Sequence, residues 1–273
     1  MKKLQTVNKG FGYLAKCFVL LFASLLLSVN AFARSDDPAK DWTDEGNQSV
    51  TQQSLGSGCT IIRPINLGSN HAVIVWGNGT GTSPNSYQPL LRHWASWGFI
   101  VVAANTTNAG TGSAMLGCLN ALQSSNLGAN ISDRIGASGH SQGGGGSIMA
   151  GQDSRITATA PIQPYTIGLG HQSSSQTRQN GSMLLLSGSS DYIATPSSNQ
   201  APVFSHANTP VFWAIRSGAS HFEPMGDGGD FRGISTAWFL YQLTGNSDTA
   251  ELFEGNRCDF CNTRGWDVSR KGF

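Results

Sequence analysis

The sequence predicts an α/β fold in which a mostly parallel central sheet is covered by helices on both faces. Short apolar segments of strand length alternate along the chain with segments of helix length. Strands that are apolar on both sides of the pleat are typical of a sheet buried on both faces, and helices between strands imply parallel crossovers. The chain has 273 residues and 39% hydrophobic content, which suits one large core.

The elements follow from the periodicity of the apolar residues. Residues 59–63 are β-prone and predict an edge strand or part of a hairpin. Five apolar runs predict buried strands: 72–76, 99–104, 135–138, 183–187 and 211–215. The helix-length segments are 87–97, 113–124, 143–150, 197–205 and 232–243. Gly245 suits the C-terminal cap of the last helix.

The first 33 residues predict a secretory signal peptide. Basic residues between Lys2 and Lys16 precede an apolar run at 18–29, and Ala31-Phe32-Ala33 offers the small residues of a cleavage site. The run is shorter than the roughly 20 residues that cross a bilayer. We therefore expect cleavage near Ala33, no stable membrane anchor, and a single domain at 34–273 that acts in the bacterial periplasm or outside the cell.

The cysteines fit that location, because cleavage removes Cys17 and leaves an even number. Four cysteines allow three pairings. We favour Cys59 with Cys118, and Cys258 with Cys261, since the latter two lie close together near the C-terminus. A redox or zinc half-site at 258–261 is the alternative, but no second cysteine pair and no suitably spaced histidine accompanies it.

Composition and charge argue against several classes of partner. The net charge is +1 and charged residues make up 12% of the chain, so nothing favours nucleic acid. The run Asp227-Gly228-Gly229-Asp230 is more typical of a surface turn than of a calcium site. We expect no metal, no cofactor, and a monomer that acts on a small or polymeric substrate.

The strongest motif is Gly139-His140-Ser141-Gln142-Gly143, which follows the predicted strand 135–138 and begins a helix rich in small residues. This is the G-x-S-x-G pattern of the nucleophile elbow in the α/β-hydrolase fold. The two glycines have a steric cause, because the turn is so tight that a Cβ would strike the neighbouring backbone. We interpret Ser141 as a nucleophile; a glycine-rich turn without chemistry is the alternative.

A serine hydroxyl needs a base, and in this fold the order along the chain is serine, acid, histidine. His171, His206 and His221 lie downstream of Ser141. His221 lies in the segment 217–222, just after the predicted strand 211–215, so its loop can reach the elbow. We predict His221 as the base and interpret the other two as surface histidines.

Asp191 is the best-placed acid, because it directly follows the predicted strand 183–187. The other carboxylates considered are Asp133, which precedes the nucleophile, Asp153, which follows it too soon, and Asp227 and Asp230, which come after the histidine.

A tetrahedral intermediate needs two N–H donors for its oxyanion. Gln142, directly after the serine, is predicted to supply one backbone N–H. The other is expected from the loop Trp76-Gly77-Asn78-Gly79-Thr80-Gly81, with Asn78 the first choice. A phosphate-binding role for this loop is disfavoured, because it lacks the lysine of a P-loop.

Four motifs between about residues 72 and 243 resemble the bacterial cutinase-like, lipase-related and polyester-degrading (PET hydrolase-like) family. Gly139 to Gly146 is similar to the family's GHSMGGGG, with Gln142 in place of Met. The remaining matches are Asp191-Tyr192-Ile193-Ala194-Thr195-Pro196 with D-x-I-A-P, Ser220-His221-Phe222-Glu223-Pro224 with SHFAP, and Thr236-Ala237-Trp238-Phe239 with V-A-W-L.

The resemblance implies ester hydrolysis on an α/β-hydrolase fold, with Tyr165 in the substrate-binding cleft where the family has a Trp. Tyr192 and Phe222, beside the acid and the histidine, are expected to bind substrate as well. The chain departs from the family at Asn78, where the family has an aromatic residue, and the loop closed by Cys258 and Cys261 is shorter than the family's terminal bridge. Activity on solid polyester does not follow from the resemblance.

The sequence therefore predicts an exported serine esterase that works through an acyl-enzyme. No long insertion separates Asp191 from His221, so we expect no large lid and an open cleft for short to medium acyl esters. The alternatives are a lipase, a carbohydrate-ester (acetylxylan or feruloyl) esterase, a peptidase, and a binding protein that has kept the fold without catalysis.

Overall fold

The computed structural model describes residues 37–256 and 258–273. The predicted signal peptide, with its cleavage site near Ala33, lies outside the described residues. Within the described ranges no helix combines the length and the apolar character needed to cross a membrane.

One sheet of nine strands organises the described residues, in the spatial order β1-β2-β4-β3-β5-β6-β7-β8-β9. The strands from β4 to β8 in this order pair in parallel, whereas β1, β2 and β9 pair antiparallel. Their bounds are β1 Val50–Leu55, β2 Cys59–Pro64, β3 His71–Gly77, β4 Ile100–Ala104, β5 Ile131–His140, β6 Ile156–Ile162, β7 Ser182–Gly188, β8 Val211–Arg216 and β9 Trp266–Lys271. This mostly parallel sheet confirms the predicted fold class.

Helices cross between the strands, as the alternating pattern predicts. The α-helices are α1 Gln88–Ser96, α2 Ser113–Gln123, α3 Gln142–Ala150, α4 Ala201–His206, α5 Phe231–Phe239 and α6 Ser247–Ala250. A π-helical turn, Pro196–Gln200, precedes α4, and another, Leu240–Thr244, follows α5. Short 3₁₀ turns lie at Lys40–Trp42, Pro84–Tyr87, Gly128–Asn130, Ser173–Arg178 and Asp259–Asn262. Gly245 ends the last predicted helix in the left-handed conformation (φ 70°).

Both faces of the sheet are buried, which explains the continuous apolar runs. Along β3, Ile74 and Trp76 point into a core that also contains residues of α1 and α5. Val73 and Val75 point to the opposite face, where they pack with residues of α2. A strand between two helical layers needs apolar side chains on both sides, so it has no polar alternation.

Three strands, β1, β6 and β9, are not predicted by the pattern of apolar runs. β6 is built largely from Ala and Thr and contains Pro161, a residue that argues against a central strand because it has no N–H to donate. β1 and β9 are the two edges of the sheet, and they are polar on their exposed side. Residues 59–63 form the inner strand of the β1–β2 hairpin rather than the edge itself.

Two disulfide bonds are present, Cys59–Cys118 and Cys258–Cys261. The first joins β2 to α2 and closes a long loop, with a sequence separation of 59. The second spans the 3₁₀ turn Asp259–Asn262 and closes a loop with a separation of 3. A disulfide that closes a longer loop removes more conformational entropy from the unfolded chain.

We expect the two disulfides to contribute unequally to stability. Replacing both Cys59 and Cys118 by serine is expected to lower the free energy of unfolding by about 4 kcal/mol, against about 2 kcal/mol for the same change at Cys258 and Cys261. Urea denaturation of the two double variants, followed by circular dichroism, measures both values. Equal losses would show that loop length does not govern the effect in this protein.

Candidate active site

Loops at the carboxyl ends of three parallel strands bring Ser141, Asp191 and His221 together. Ser141 follows β5, Asp191 follows β7 and His221 follows β8. The imidazole Nε2 of His221 lies 2.9 Å from the Ser141 hydroxyl, and its Nδ1 lies 2.7 Å from the Asp191 carboxylate. The three side chains that the sequence singles out therefore form one continuous hydrogen-bonded chain, buried at the carboxyl end of the parallel strands.

Ser141 lies in a very tight turn between β5 and α3, with φ at 54°. A non-glycine residue in this region is strained, and such strain persists only where the surroundings enforce it. A Cβ at Gly139 would overlap the carbonyl oxygen of Gly143, and a Cβ at Gly143 would overlap that of Gly77. Both glycines of the motif are thus required by close backbone contacts, which hold the serine hydroxyl at the end of the strand.

Asp191 is held as a carboxylate that orients the histidine. One of its oxygens accepts the backbone N–H groups of Ile193 and Ala194, at 2.9 and 2.8 Å, while the other faces His221. Burial raises the pKa of Asp191, but the hydrogen bonds from His221, Ala194 and Ile193 outweigh it and leave the pKa below its ordinary value. Nδ1 of His221 therefore donates to Asp191, so the Nε2 lone pair faces the O–H of Ser141.

A second histidine network lies beneath the first. Nε2 of His140 lies 2.8 Å from the main-chain oxygen of His221, and Nδ1 lies 2.8 Å from the Tyr87 hydroxyl. A carbonyl oxygen can only accept, so Nε2 carries the proton and Nδ1 accepts from Tyr87. The backbone N–H of Gly79 in turn donates to the Tyr87 oxygen at 3.3 Å. The network therefore joins the loop after β3 to the loop that carries His221.

Burial keeps His140 uncharged. Burial, with a smaller contribution from the positive charge of a protonated His221, lowers the pKa of His140 to about 3. Sequence reasoning missed both Tyr87 and His140, although His140 occupies the variable position directly before the serine. Tyr87 carries no sequence signal, since only the tertiary fold brings it to His140.

The two predicted oxyanion donors lie at different kinds of position. Gln142 is the first residue of α3, where a backbone N–H has no partner within the helix. Asn78 is fully buried, and its side-chain amide accepts from the Trp76 indole at 2.9 Å and donates to the carbonyls of Ala104 and Thr106 at 2.7 and 3.0 Å. The Asn78 side chain therefore ties the loop to the end of β4 and is turned away from the cleft.

The serine opens into a cleft of about 360 Å³. It is lined by Gly79, Thr80, Thr82, Tyr87, His140, Ser141, Tyr165, Leu169, Ile193, His221, Phe222 and Met225. Tyr165 and Phe222, both expected to bind substrate, belong to this lining. Tyr192 does not; it is 88% exposed, and its neighbour Ile193 faces the cleft instead.

A cavity of about 470 Å³ at the opposite end of the sheet is lined by residues such as Asn70, Ser132 and Arg134 and contains no serine–histidine pair. Among the residues that the structure describes, no group of three or more His, Cys, Asp or Glu side chains is arranged to hold a metal ion.

The interpretation of His171 as a surface histidine is wrong, because its side chain is buried. Its Nδ1 donates to the Gly145 carbonyl of α3 at 3.1 Å, and Nε2 lies 3.2 Å from the Gln176 amide. Burial lowers the pKa of His171. The residue thus fastens the loop before it to the helix that follows the serine. His206, in contrast, is exposed, as predicted.

The fold and the site together are those of an α/β-hydrolase. The sheet is mostly parallel, a strained serine lies in the tight turn after β5, and the loops after β7 and β8 supply an aspartate and a histidine. Comparison with protein families matches residues 29–246 to the PETase family, described as PET hydrolase-like. Because the match covers well over half of the chain, the protein belongs to this family and is an ester hydrolase. A search of curated proteins finds no match. Its disulfide bonds and its family both favour an extracellular location.

We expect the protein to lose stability as the pH falls from about 6.5 towards 4. The pKa values of His93, His140 and His171 are all lowered by burial, so the folded chain takes up protons on these histidines at lower pH than the unfolded chain, which binds them below about pH 6.5. Each contributes a slope of up to about 1.4 kcal/mol per pH unit. The depressed pKa of Asp191 acts only at lower pH, as the pH falls below its unfolded value.

Urea denaturation at intervals between pH 4.5 and 8 measures this slope. His140→Asn is expected to flatten it, while the same substitution at the exposed His206 serves as the control. A slope identical in wild type and His140→Asn would show that His140 is not held neutral by the fold.

Proposed function

We propose that the protein is an exported serine esterase that cleaves carboxylic esters through an acyl-enzyme on Ser141, with His221 as base and Asp191 as the group that orients it. The hydrogen-bonded chain of these three side chains is the observation that supports the proposal most directly. The proposed enzyme acts as a monomer and needs no cofactor or metal. It does not bind nucleic acid, and it has no stable membrane anchor.

The geometry suits acyl transfer in two steps. The Ser141 oxygen attacks the ester carbonyl while Nε2 of His221 takes its proton, and the Asp191 carboxylate stabilises the resulting imidazolium. His221 then returns this proton to the leaving alcohol. Water, activated by the same nitrogen, attacks the acyl-enzyme and releases the acid, which regenerates the Ser141 hydroxyl.

Charge that develops on the carbonyl oxygen is expected to be stabilised by the backbone N–H of Gln142 and by that of Asn78. The N-terminus of α3 adds a favourable dipole at the same point. Gly79 is the less suitable donor of its loop, because its N–H already donates to Tyr87.

The cleft favours an apolar substrate of modest size. Its walls include Leu169, Met225 and the half-exposed Ile193, and Phe222 stands at the rim with 62% of its surface exposed. Large apolar side chains exposed beside a nucleophile are typical of a surface that contacts apolar material. We propose short to medium acyl esters as substrates, including ester segments of an apolar polyester.

One feature favours a carbohydrate ester as the second candidate. A groove of about 310 Å³ shares Thr82 with the cleft and, within the described part of the chain, is lined by no charged side chain. Apart from Pro84, its lining residues carry hydroxyl or amide groups: Thr60, Thr82, Ser83, Asn85, Asn105, Thr106 and Thr107. Such walls suit a neutral, hydroxyl-rich alcohol that extends beyond the ester bond.

Replacing Ser141 by alanine is expected to lower kcat on p-nitrophenyl butyrate by several orders of magnitude, because the acyl-enzyme can no longer form. The matched control is Ser205→Ala, which removes a hydroxyl from an exposed residue of α4 and is expected to keep the wild-type rate. Equal rates in wild type and Ser141→Ala would remove the serine from the mechanism.

The choice between the two substrate classes can be measured separately. Release of acid from an aliphatic polyester film and from acetylated xylan, each at matched enzyme concentration, compares them directly. Activity on acetylated xylan with none on butyrate or on polyester would favour the carbohydrate esterase.

Replacing Tyr87 by phenylalanine is expected to lower kcat about tenfold with little change in KM, because a buried nitrogen of His140 loses its donor and the His221 loop loses support. Tyr241→Phe removes the hydroxyl of a tyrosine that bonds Glu254, away from the cleft, and is the matched control. A lower melting temperature with an unchanged kcat would assign Tyr87 a purely structural role.

A further inference from the structure

The loop at 165–171 forms one wall of the cleft and is fixed at both ends. The backbone N–H of Tyr165 donates to the Ser141 carbonyl at 2.8 Å, and that of Thr166 donates to the Asn199 side chain at 2.9 Å. At the other end, His171 donates to the Gly145 carbonyl of α3. The loop is therefore held in one position relative to the nucleophile.

Leu169 lies in the middle of this loop in a conformation that leucine rarely adopts. Its φ is 50°, between Gly168 at 84° and Gly170 at 96°. In the left-handed region glycine or asparagine is strongly preferred, since a Cβ crowds the following carbonyl. Folding alone would therefore favour glycine at this position. The leucine side chain is nevertheless present, 49% exposed, and it lines the cleft beside Ser141.

The side chain of Gln142 holds the strained residue in place. Its Nε2 donates to the Leu169 carbonyl at 3.2 Å and to the Asn108 side chain at 2.9 Å. Gly110 makes room for the same carbonyl, because a Cβ there would overlap the Leu169 oxygen. Gln142 is only 3% exposed, whereas its partners Asn108 and Leu169 are exposed, so these hydrogen bonds are partly buried. The residue that follows the nucleophile thus also fixes the cleft wall.

The loop after β3 contributes little apolar surface to the cleft. Asn78 directs its side chain to the end of β4, and Gly79, which lines the cleft next to it, has no side chain. Leu169 and Tyr165, both from the loop at 165–171, belong to the cleft lining, and the Leu169 carbonyl accepts from the Gln142 amide.

The proposed reaction indicates which part of the ester contacts the cleft wall formed by the loop at 165–171. The leaving alcohol must accept a proton from Nε2 of His221, so it departs on the histidine side, next to Phe222. The carbonyl oxygen points to the backbone N–H of Gln142. The acyl chain is then left to extend away from His221, and the wall that carries Leu169 is the surface proposed to meet it.

We infer that Leu169 is the specificity-determining residue for the acyl chain, and that the Gln142 side chain positions it. The inference rests on the proposed esterase function. It accounts for a leucine in a strained conformation that glycine would fill more easily, and for the amide at position 142 that braces it.

The test varies the acyl chain while the alcohol stays the same. Wild type, Leu169→Gly and Leu169→Ala are assayed on p-nitrophenyl acetate and p-nitrophenyl octanoate. We expect the ratio of kcat/KM for octanoate to that for acetate to fall at least about tenfold in both variants, because the longer chain loses its apolar contact. Leu169→Gly relieves the strain at φ 50°, so its melting temperature is expected to equal or exceed that of wild type.

Two further variants separate the wall from its support. Gln142→Met keeps the backbone N–H but removes the donor to the Leu169 carbonyl, and we expect the octanoate-to-acetate ratio to fall here as well. Ile167→Ala is the matched control, since Ile167 lies on the same loop, is 55% exposed and is not part of the cleft lining. Its ratio is expected to stay at the wild-type value.

The possible results distinguish this inference from the proposed function. An unchanged ratio in Leu169→Gly, together with an inactive Ser141→Ala, would overturn the role of Leu169 and leave the esterase proposal intact. Wild-type activity in Ser141→Ala would overturn the esterase proposal itself. A fall in the ratio in Ile167→Ala as large as in Leu169→Ala would show that the loop as a whole, and not Leu169, selects the acyl chain.

Discussion

The close approach of α3 to β3 is the constraint on which the rest of the site depends. The backbones of Gly77, Gly139 and Gly143 meet so tightly that a single added carbon would overlap a carbonyl oxygen. This contact turns the chain sharply after β5 and holds Ser141 in a strained backbone conformation with positive φ. At the same turn, the first N–H groups of α3 have no partners within the helix. One steric contact therefore both exposes the Ser141 hydroxyl to the cleft and creates a site that can bind negative charge.

The partner loops are positioned by buried polar contacts rather than by packing alone. His140 donates to the His221 carbonyl, and the Gln163 amide donates to the Ser220 carbonyl at 2.9 Å. Gln163 is itself strained, with φ at 44°. Of the four non-glycine residues with positive φ in the described ranges, three lie at this site: Ser141, Gln163 and Leu169. Backbone strain in this protein is thus concentrated where a side chain must be aimed.

The sequence predicts most of the parallel strands, because burial on both faces leaves an unbroken run of apolar residues in segments such as β3. It does not predict β6, because the small residues and Pro161 of that strand interrupt the apolar pattern. The three side chains that meet at the cleft are predictable, since each follows a strand in the order that the fold requires. Tyr87, the Gln142 amide and Leu169 are not, because their positions depend on contacts between loops far apart in sequence. The same limit explains why Ile193 rather than Tyr192 faces the cleft.

The antiparallel strand β9 determines how much of the chain is needed for a covered sheet. The family match ends at residue 246, yet β9 pairs with β8 along its whole length, and Phe253 and Phe260 pack on Phe212 of β8. A protein trimmed to the shared portion would present an open strand and a bare aromatic surface, the combination that drives edge-to-edge aggregation. The C-terminal segment therefore covers both the backbone of β8 and its aromatic face, and a transfer of this hydrolase domain to another protein would have to include it.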